Sequence, residues 1–260
     1  MSKKKTFNLG RGPAFLVALV SAVLTWWVYY GVSVWAGSLD PTFVAWGLLV
    51  SVLVHECGHW LAMELAGVRA SIIFLVILGG TFPIDDKSRN RLAKGVNWST
   101  DILISLAGPL GNAAVIIGAN LLAMYGDLPA RYAVALTSLN AGLICVNLLP
   151  IAGLDGRKFV KSLFNSAPEK LDRVYARYMG GAVIAGCIIL MLSVQQLYIF
   201  YPLLLTLRLS AEADLDDPRG SRSRRAMTRT QECVWMGVYV TLFLVAAGIT
   251  LTTPYWTKVL

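Results

Sequence analysis

The apolar residues of this chain gather into long blocks separated by short polar stretches. Six blocks reach span length: Ala14–Ala36, Phe43–Ala66, Ile102–Tyr125, Tyr132–Leu149, a longer one from Tyr178 to about Leu207, and Val234–Leu251. A helix crossing the hydrocarbon core of a bilayer needs roughly 20 predominantly apolar residues. In lipid every backbone polar group must be satisfied within the segment, so such blocks are expected to be helices. The pattern therefore predicts about six transmembrane helices and a polytopic, all-α membrane protein. No long low-complexity tract or internal repeat stands out.

Composition supports this pattern. Over 260 residues the mean hydropathy is +0.61 and only 15% of residues are charged, against roughly 25% in a soluble domain. Lys3, Lys4, Lys5 and Arg11 precede the first block as the basic region of a signal peptide would. The apolar stretch exceeds the 7–15 residues of a signal sequence, though, and a retained helix is expected. The four cysteines, Cys57, Cys145, Cys187 and Cys233, lie singly in or beside apolar blocks with no CxxC pair. That usage suggests neither a disulfide framework nor a thiolate zinc site.

The net charge of +8 is distributed along the chain in a way that reports topology. Lys and Arg collect in cytoplasmic loops. Four precede the first block, none lies in 37–41, five lie in 67–99, one (Arg131) lies in the next turn, and six lie in 156–177. The alternation places the N-terminus, the loop after the second block and the loop after Asp155 in the cytoplasm. It falters once, because six spans put the 208–233 loop outside although it carries six arginines. The run "RGSRSRRAMTR" reads as a solvated or headgroup-facing loop, and no nucleic-acid partner is expected.

Inside the second block stands "SVLVHECGHW", residues 51–60, which holds both histidines of the chain. Four residues are a little over one helical turn, so His55 and His59 stack on one face with Glu56 beside them. Two imidazoles so spaced can both reach a zinc ion, and the glutamate is placed to take a proton from a metal-bound water. Ionisable groups are costly in a bilayer, and three within five residues at mid-span indicate a site.

A catalytic zinc takes three protein ligands, and no third histidine exists. Glu64 lies on the same helix nine residues from His55 and cannot fold back. Asp101 begins its span, where helix capping explains it. Cys57 points away from the histidine face. Asp155 lies in "VNLLPIAGLDGRKF", where Pro150 and Gly153 break the fourth block; irregular backbone at this depth is tolerated where it lines a cavity or is buried in protein. His59 lies about 10 Å above the cytoplasmic end of its helix at 1.5 Å per residue, a depth Asp155 can share.

These residues resemble the site-2 protease family of intramembrane zinc metalloproteases. "HECGH" (55–59) is similar to that family's HExxH, "NLLPIAGLDG" (147–156) to its NxxPxxxLDG signature and "SLAGPLGN" (105–112) to its GPxxN element. "FLVILGGTFPI" (74–84), with β-branched residues and a Gly-Gly turn, resembles the membrane-embedded β-hairpin that follows the first motif. Many members carry proline two residues before the aspartate, where this chain has Gly153. The resemblance covers roughly Phe43 to Phe159.

It implies a three-helix catalytic core over 43–160, preceded by an N-terminal transmembrane helix (1–42) and followed by C-terminal helices and a basic loop (161–260). It further implies one Zn2+ per chain on His55, His59 and Asp155, with Glu56 as general base and then general acid. Asn147 would contact substrate or the developing oxyanion, and Asn112 would contact substrate or support the site. The implied activity is hydrolysis of single-span membrane proteins within or near the bilayer, in regulated intramembrane proteolysis, and the implied setting is a prokaryotic cell membrane. A helical substrate must unwind first, and the hairpin could accept it as an added strand. No polar stretch exceeds about 35 residues, which is below domain size. Specificity is therefore expected to rest on the membrane core or on a separate regulatory partner.

Two other classes compete. A catalytically inactive relative, acting as a metal-dependent membrane receptor, would need the ligands but not Glu56. The HExxH membrane proteases that clip prenylated tails take a downstream glutamate as ligand; after Glu64 the next are Glu169, Glu212 and Glu232, none in a matching helical motif.

Overall fold

The computed structural model describes residues 11–35, 38, 40–75, 78–85, 87–88, 98–149, 154–163 and 228–252. They form helices α1 (Arg11–Trp35) and α2 (Pro41–Leu65), strands β1 (Ala70–Leu75) and β2 (Leu78–Pro83), and helices α3 (Trp98–Tyr125), α4 (Ala130–Asn147), α5 (Asp155–Leu163) and α6 (Arg229–Thr252). Five of the six apolar blocks are thus helices. The block from Tyr178 to Leu207, and the arginine run up to Met227, lie outside the described residues.

Local chemistry sets the ends of α2. The Asp40 carboxylate accepts the Phe43 amide at 3.0 Å and Pro41 follows it, a cap and first-turn pair whose missing N–H costs nothing there. At the far end Gly67 adopts φ +69°, and its amide closes onto the Glu64 carbonyl at 2.9 Å. Glu64 then accepts the Ala70 amide at 3.0 Å, fastening the start of β1 to the helix that precedes it.

The hairpin is antiparallel, with Ala70 opposite Pro83 and Leu75 opposite Leu78. Gly79 and Gly80 were expected to form its turn. They lie instead in β2, opposite Phe74 and Ile73. A Cβ on Gly80 would collide with the Phe82 ring, so this glycine makes room for a neighbour within the strand.

Among the described residues three helices are long and apolar enough to cross a membrane: α2, α3 and the Cys233–Thr250 part of α6. The apolar part of α1, Leu19–Trp35, is shorter. Helix α4 has 18 residues and gives up hydropathy for a polar face, with Ser138 and Asn140 buried in the bundle. Asp101 lies in the first turn of α3, which starts three residues earlier at Trp98; it sits at the favourable end of the helix dipole without being the cap.

Helix α3 packs against both α2 and α4. Its contact with α2 is close because glycines meet backbone: a Cβ on Gly58 would strike the Ala107 carbonyl, and one on Gly111 would lie 2.8 Å from the Val54 carbonyl. Small residues at such a crossing are how membrane helices gain packing where hydrophobicity offers none. An apolar cluster joins Ile102 and Leu106 of α3, Ile144 of α4 and Leu148 at its C-cap, Phe159 and Val160 of α5, and Ala246 of α6. Phe159 is fully buried and stacks on Tyr239, ring centroids 5.0 Å apart. The periphery is apolar instead, with Trp27, Trp35, Leu65, Ile117 and Leu244 exposed. Apolar outside and polar inside is the pattern of a protein solvated by lipid.

Phe159→Ala should cost about 3–5 kcal/mol, the range for removing a fully buried ring. Unfolding of purified protein in detergent measures it. A loss under about 1 kcal/mol would show that the α3–α6 cluster does not hold the fold.

Candidate metal centre

His55, His59 and Asp155 come together although 96 residues separate the last two. His59 Nε2 lies 3.1 Å from His55 Nε2 and 2.9 Å from Asp155 Oδ2, and His55 Nε2 lies 3.1 Å from the same oxygen. All three residues are buried. Asp155 is the first residue of α5 rather than part of a free turn, and its second oxygen takes an ion pair from Lys158 at 3.1 Å. Its backbone is crowded into place, since any Cβ on Gly156 would run into the Leu148 and Leu149 carbonyls.

The protonation of the two rings follows from their neighbours. Asn140 turns its NH2 toward the Leu136 carbonyl (2.8 Å) and the Ser51 hydroxyl (2.9 Å), which leaves its oxygen facing Asn112. Asn112 donates to that oxygen at 2.8 Å and to the Ser51 carbonyl at 3.1 Å, so its own oxygen must face His55. His55 therefore donates from Nδ1 to Asn112 at 2.6 Å. His59 donates from Nδ1 to the Ile104 carbonyl at 2.7 Å. Each ring then presents a bare Nε2 lone pair to the centre.

Two lone pairs and a carboxylate oxygen about 3 Å apart repel one another unless a positive charge lies between them. One proton serves a single pair, whereas a divalent cation serves all three. A tetrahedral zinc with ligands at about 2.0–2.1 Å separates its ligand atoms by roughly 3.3–3.4 Å. The observed separations lie just inside that, so the donor set fits a metal ion in number, chemistry and spacing. The partners on Nδ1 are the outer contacts by which proteins fix the ring orientation of such histidines.

Helix α3 makes the space. A Cβ on Gly108 would overlap the Nε2 atoms of both histidines. The next residue, Pro109, lies inside the helix and gives up one backbone bond there.

The remaining candidates divide. Glu56 is buried, and its Oε2 accepts the Thr81 hydroxyl of β2 at 2.8 Å. Asn112 is fully buried with its amide committed to Ser51, Asn140 and His55, which is the geometry of a support for His55. Asn147, at the end of α4, is half-buried and donates to the Leu143 carbonyl of its own helix at 3.0 Å. Cys57 is exposed, as its position off the histidine face requires. Sequence reasoning passed over Ser51, Thr81, Asn140 and Lys158. Of these, only Asn140 carried a signal, as an amide in the middle of an apolar block.

Gly108→Ala should abolish metal retention while the protein stays helical, because alanine suits a helix better than glycine. Elemental analysis and circular dichroism of the same detergent sample test both halves. Full metal content in the variant would mean that the ion binds elsewhere.

Comparison with known proteins agrees with this site. The model of peptidase family M50 matches residues 43–127, which hold both histidines, Glu56, the hairpin and α3. Stage IV sporulation protein FB of Bacillus subtilis is 30% identical over 118 residues, 45% of this chain and 39% of the relative. A Synechocystis protein provisionally named a zinc metalloprotease is 27% identical over 119 residues, 45% of this chain and 30% of its own length. The chain thus spans well under half of these curated relatives. The site-2 protease from Methanocaldococcus jannaschii has a similar fold, with a TM-score of 0.50 over 80% of this chain and 91% of that one, at 22% identity. Matched segment, relatives and fold point the same way: residues 43–127 are similar to peptidase family M50, and the fold is similar to that of a site-2 protease.

Proposed function

We propose that this protein is an intramembrane zinc metalloendopeptidase that cleaves single-span membrane proteins within or near the bilayer, in regulated intramembrane proteolysis. The observation that carries the reading is the convergence of two imidazole lone pairs and a carboxylate oxygen at 2.9–3.1 Å, buried beside Glu56.

In this reading His55, His59 and Asp155 hold one Zn2+. A zinc ion held there would supply Lewis acidity, toward the scissile carbonyl and toward water. Glu56 accepts the proton as the peptide bond is attacked and returns it to the leaving amine. Asn112 keeps His55 in the tautomer that leaves Nε2 bare, and Lys158 holds the Asp155 carboxylate from its far side. Asn147 contacts the extended substrate. The hairpin lies at membrane depth and receives the unwound segment as an added strand.

The wider organisation follows the same reading. Six helices span a prokaryotic cell membrane, with one N-terminal helix (1–42), the catalytic core (43–160) and a C-terminal part (161–260). The N-terminus is cytoplasmic, and a separate regulatory membrane partner contributes to specificity. The receptor alternative gains no support, because it gives no reason for a buried carboxylate beside the first ligand.

Two substitutions separate protease from receptor. Glu56→Gln keeps shape and hydrogen bonding but removes the base, so zinc and intact substrate should co-purify while cleavage falls by 10²–10⁴-fold or more, roughly the worth of general acid–base assistance. Asp155→Asn should lose activity together with zinc. Substantial cleavage by the first variant would refute Glu56 as the base, and full zinc in the second would place the third ligand elsewhere. Co-expression with a panel of single-span proteins provides the assay.

Topology is tested by Asn165→Cys in a variant without the four native cysteines. The new thiol should react only after the membrane is permeabilised. Labelling from outside intact cells would overturn the cytoplasmic placement of the 156–177 loop.

A further inference from the structure

The hairpin touches the chemistry at one atom. Thr81 stands in β2 opposite Ile72, and its Oγ1 lies 2.8 Å from Glu56 Oε2 and 3.1 Å from the Glu56 backbone oxygen. Among the described residues this hydroxyl is the one side-chain donor on the Glu56 carboxylate. A hydroxyl carries a single hydrogen, so it can serve only one of those two acceptors at a time.

We propose that Thr81 is a positioning residue for Glu56: its hydroxyl, donated from the neighbouring strand, fixes the direction in which the carboxylate points. The proposal rests on the protease reading, and it adds a residue that neither the HExxH motif nor the metal ligands imply. Three observations carry it. Glu56 is buried, so an unpartnered carboxylate there would be costly. Its partner comes from β2 and not from its own helix, so the orientation of the base depends on where the strand sits. Thr81 makes no bond to His55, His59 or Asp155, and its loss therefore acts on the base and leaves the metal alone.

A second consequence concerns the substrate. A strand that accepts an extended segment is displaced or stiffened by it, and through Thr81 that change reaches the carboxylate 25 residues back in the chain. Docking and the orientation of the base then share one hydrogen bond.

The test compares Thr81→Val, close in shape and without the hydroxyl, with Thr81→Ser, which restores it, and with Thr81→Ala as a second hydroxyl-free form. Two readouts are taken on full-length protein in detergent. The first is the Glu56 carboxylate stretch, isolated as the infrared difference between each protein and its own Glu56→Gln version. The second is kcat and KM on a substrate that the parent cleaves. The Val and Ala forms should displace the carboxylate band and lower kcat on the order of 10- to 100-fold, the fold-change matching a hydrogen bond to a charged group. Zinc content should stay unchanged, and the Ser form should recover both band and rate. An unmoved band in the hydroxyl-free forms would overturn the contact, whatever happens to the rate. A displaced band with an unchanged rate would overturn its role in catalysis. If the parent cleaves nothing while the band still shifts, the protease reading fails and the contact between Thr81 and Glu56 stands.

Discussion

Two imidazole nitrogens and a carboxylate oxygen converge on one point in the middle of this protein, and much of the rest of the structure holds them there. Lone pairs on two imidazoles and a carboxylate oxygen sit about 3 Å apart in a bundle whose outside is apolar. Every polar atom recruited to support them must itself be satisfied, because in lipid no water is available to do so. The result is a chain of fixed amides, in which the Leu136 carbonyl orients Asn140, Asn140 orients Asn112, and Asn112 orients His55. Such a network is sound only when complete, and both NH2 groups in it are fully used.

The same constraint explains the small residues where α2 and α3 meet. Close approach of α2 and α3 leaves no room for side chains at Gly58, Gly108 or Gly111, and each faces a different obstacle: a carbonyl, two imidazoles, and another carbonyl. One glycine therefore opens the metal centre while its neighbours set the helix spacing that the centre needs. Polar α4 closes the bundle by turning Ser138 and Asn140 inward.

Much of this could be read from residues alone, for identifiable reasons. The His55–Glu56–His59 spacing is local, and one helical turn fixes it. Asp155 could be reached because carboxylates at membrane depth are few and its depth matched. The helices over Ala14–Ala36, Phe43–Ala66, Ile102–Tyr125, Tyr132–Leu149 and Val234–Leu251 followed from apolar length. What escaped depends on contacts between distant segments. The Thr81–Glu56 bond crosses from strand to helix, and Lys158 could be assigned to Asp155 only once α5 was known to begin there. The Gly79–Gly80 pair misled, because a glycine pair signals a turn in most hairpins, and here a neighbouring ring took the space that Gly80 leaves. Asp101 was one turn further into its helix than the apolar boundary suggested.

Helix α6 contributes no atom to the metal centre, yet it is fastened to the segment that leads to Asp155. The Tyr239 hydroxyl donates to the Leu148 carbonyl, at the point where α4 ends, and the Tyr239 ring stacks on Phe159 one turn after Asp155. The stretch that delivers the third ligand is thus gripped at both ends by the last described helix. Residues 43–160 taken without α6 would keep His55, His59 and Asp155 and lose the two contacts that flank the approach to Asp155. Helix α6 works as a brace on that segment, and a protein bound against it would have leverage on Asp155 without approaching it.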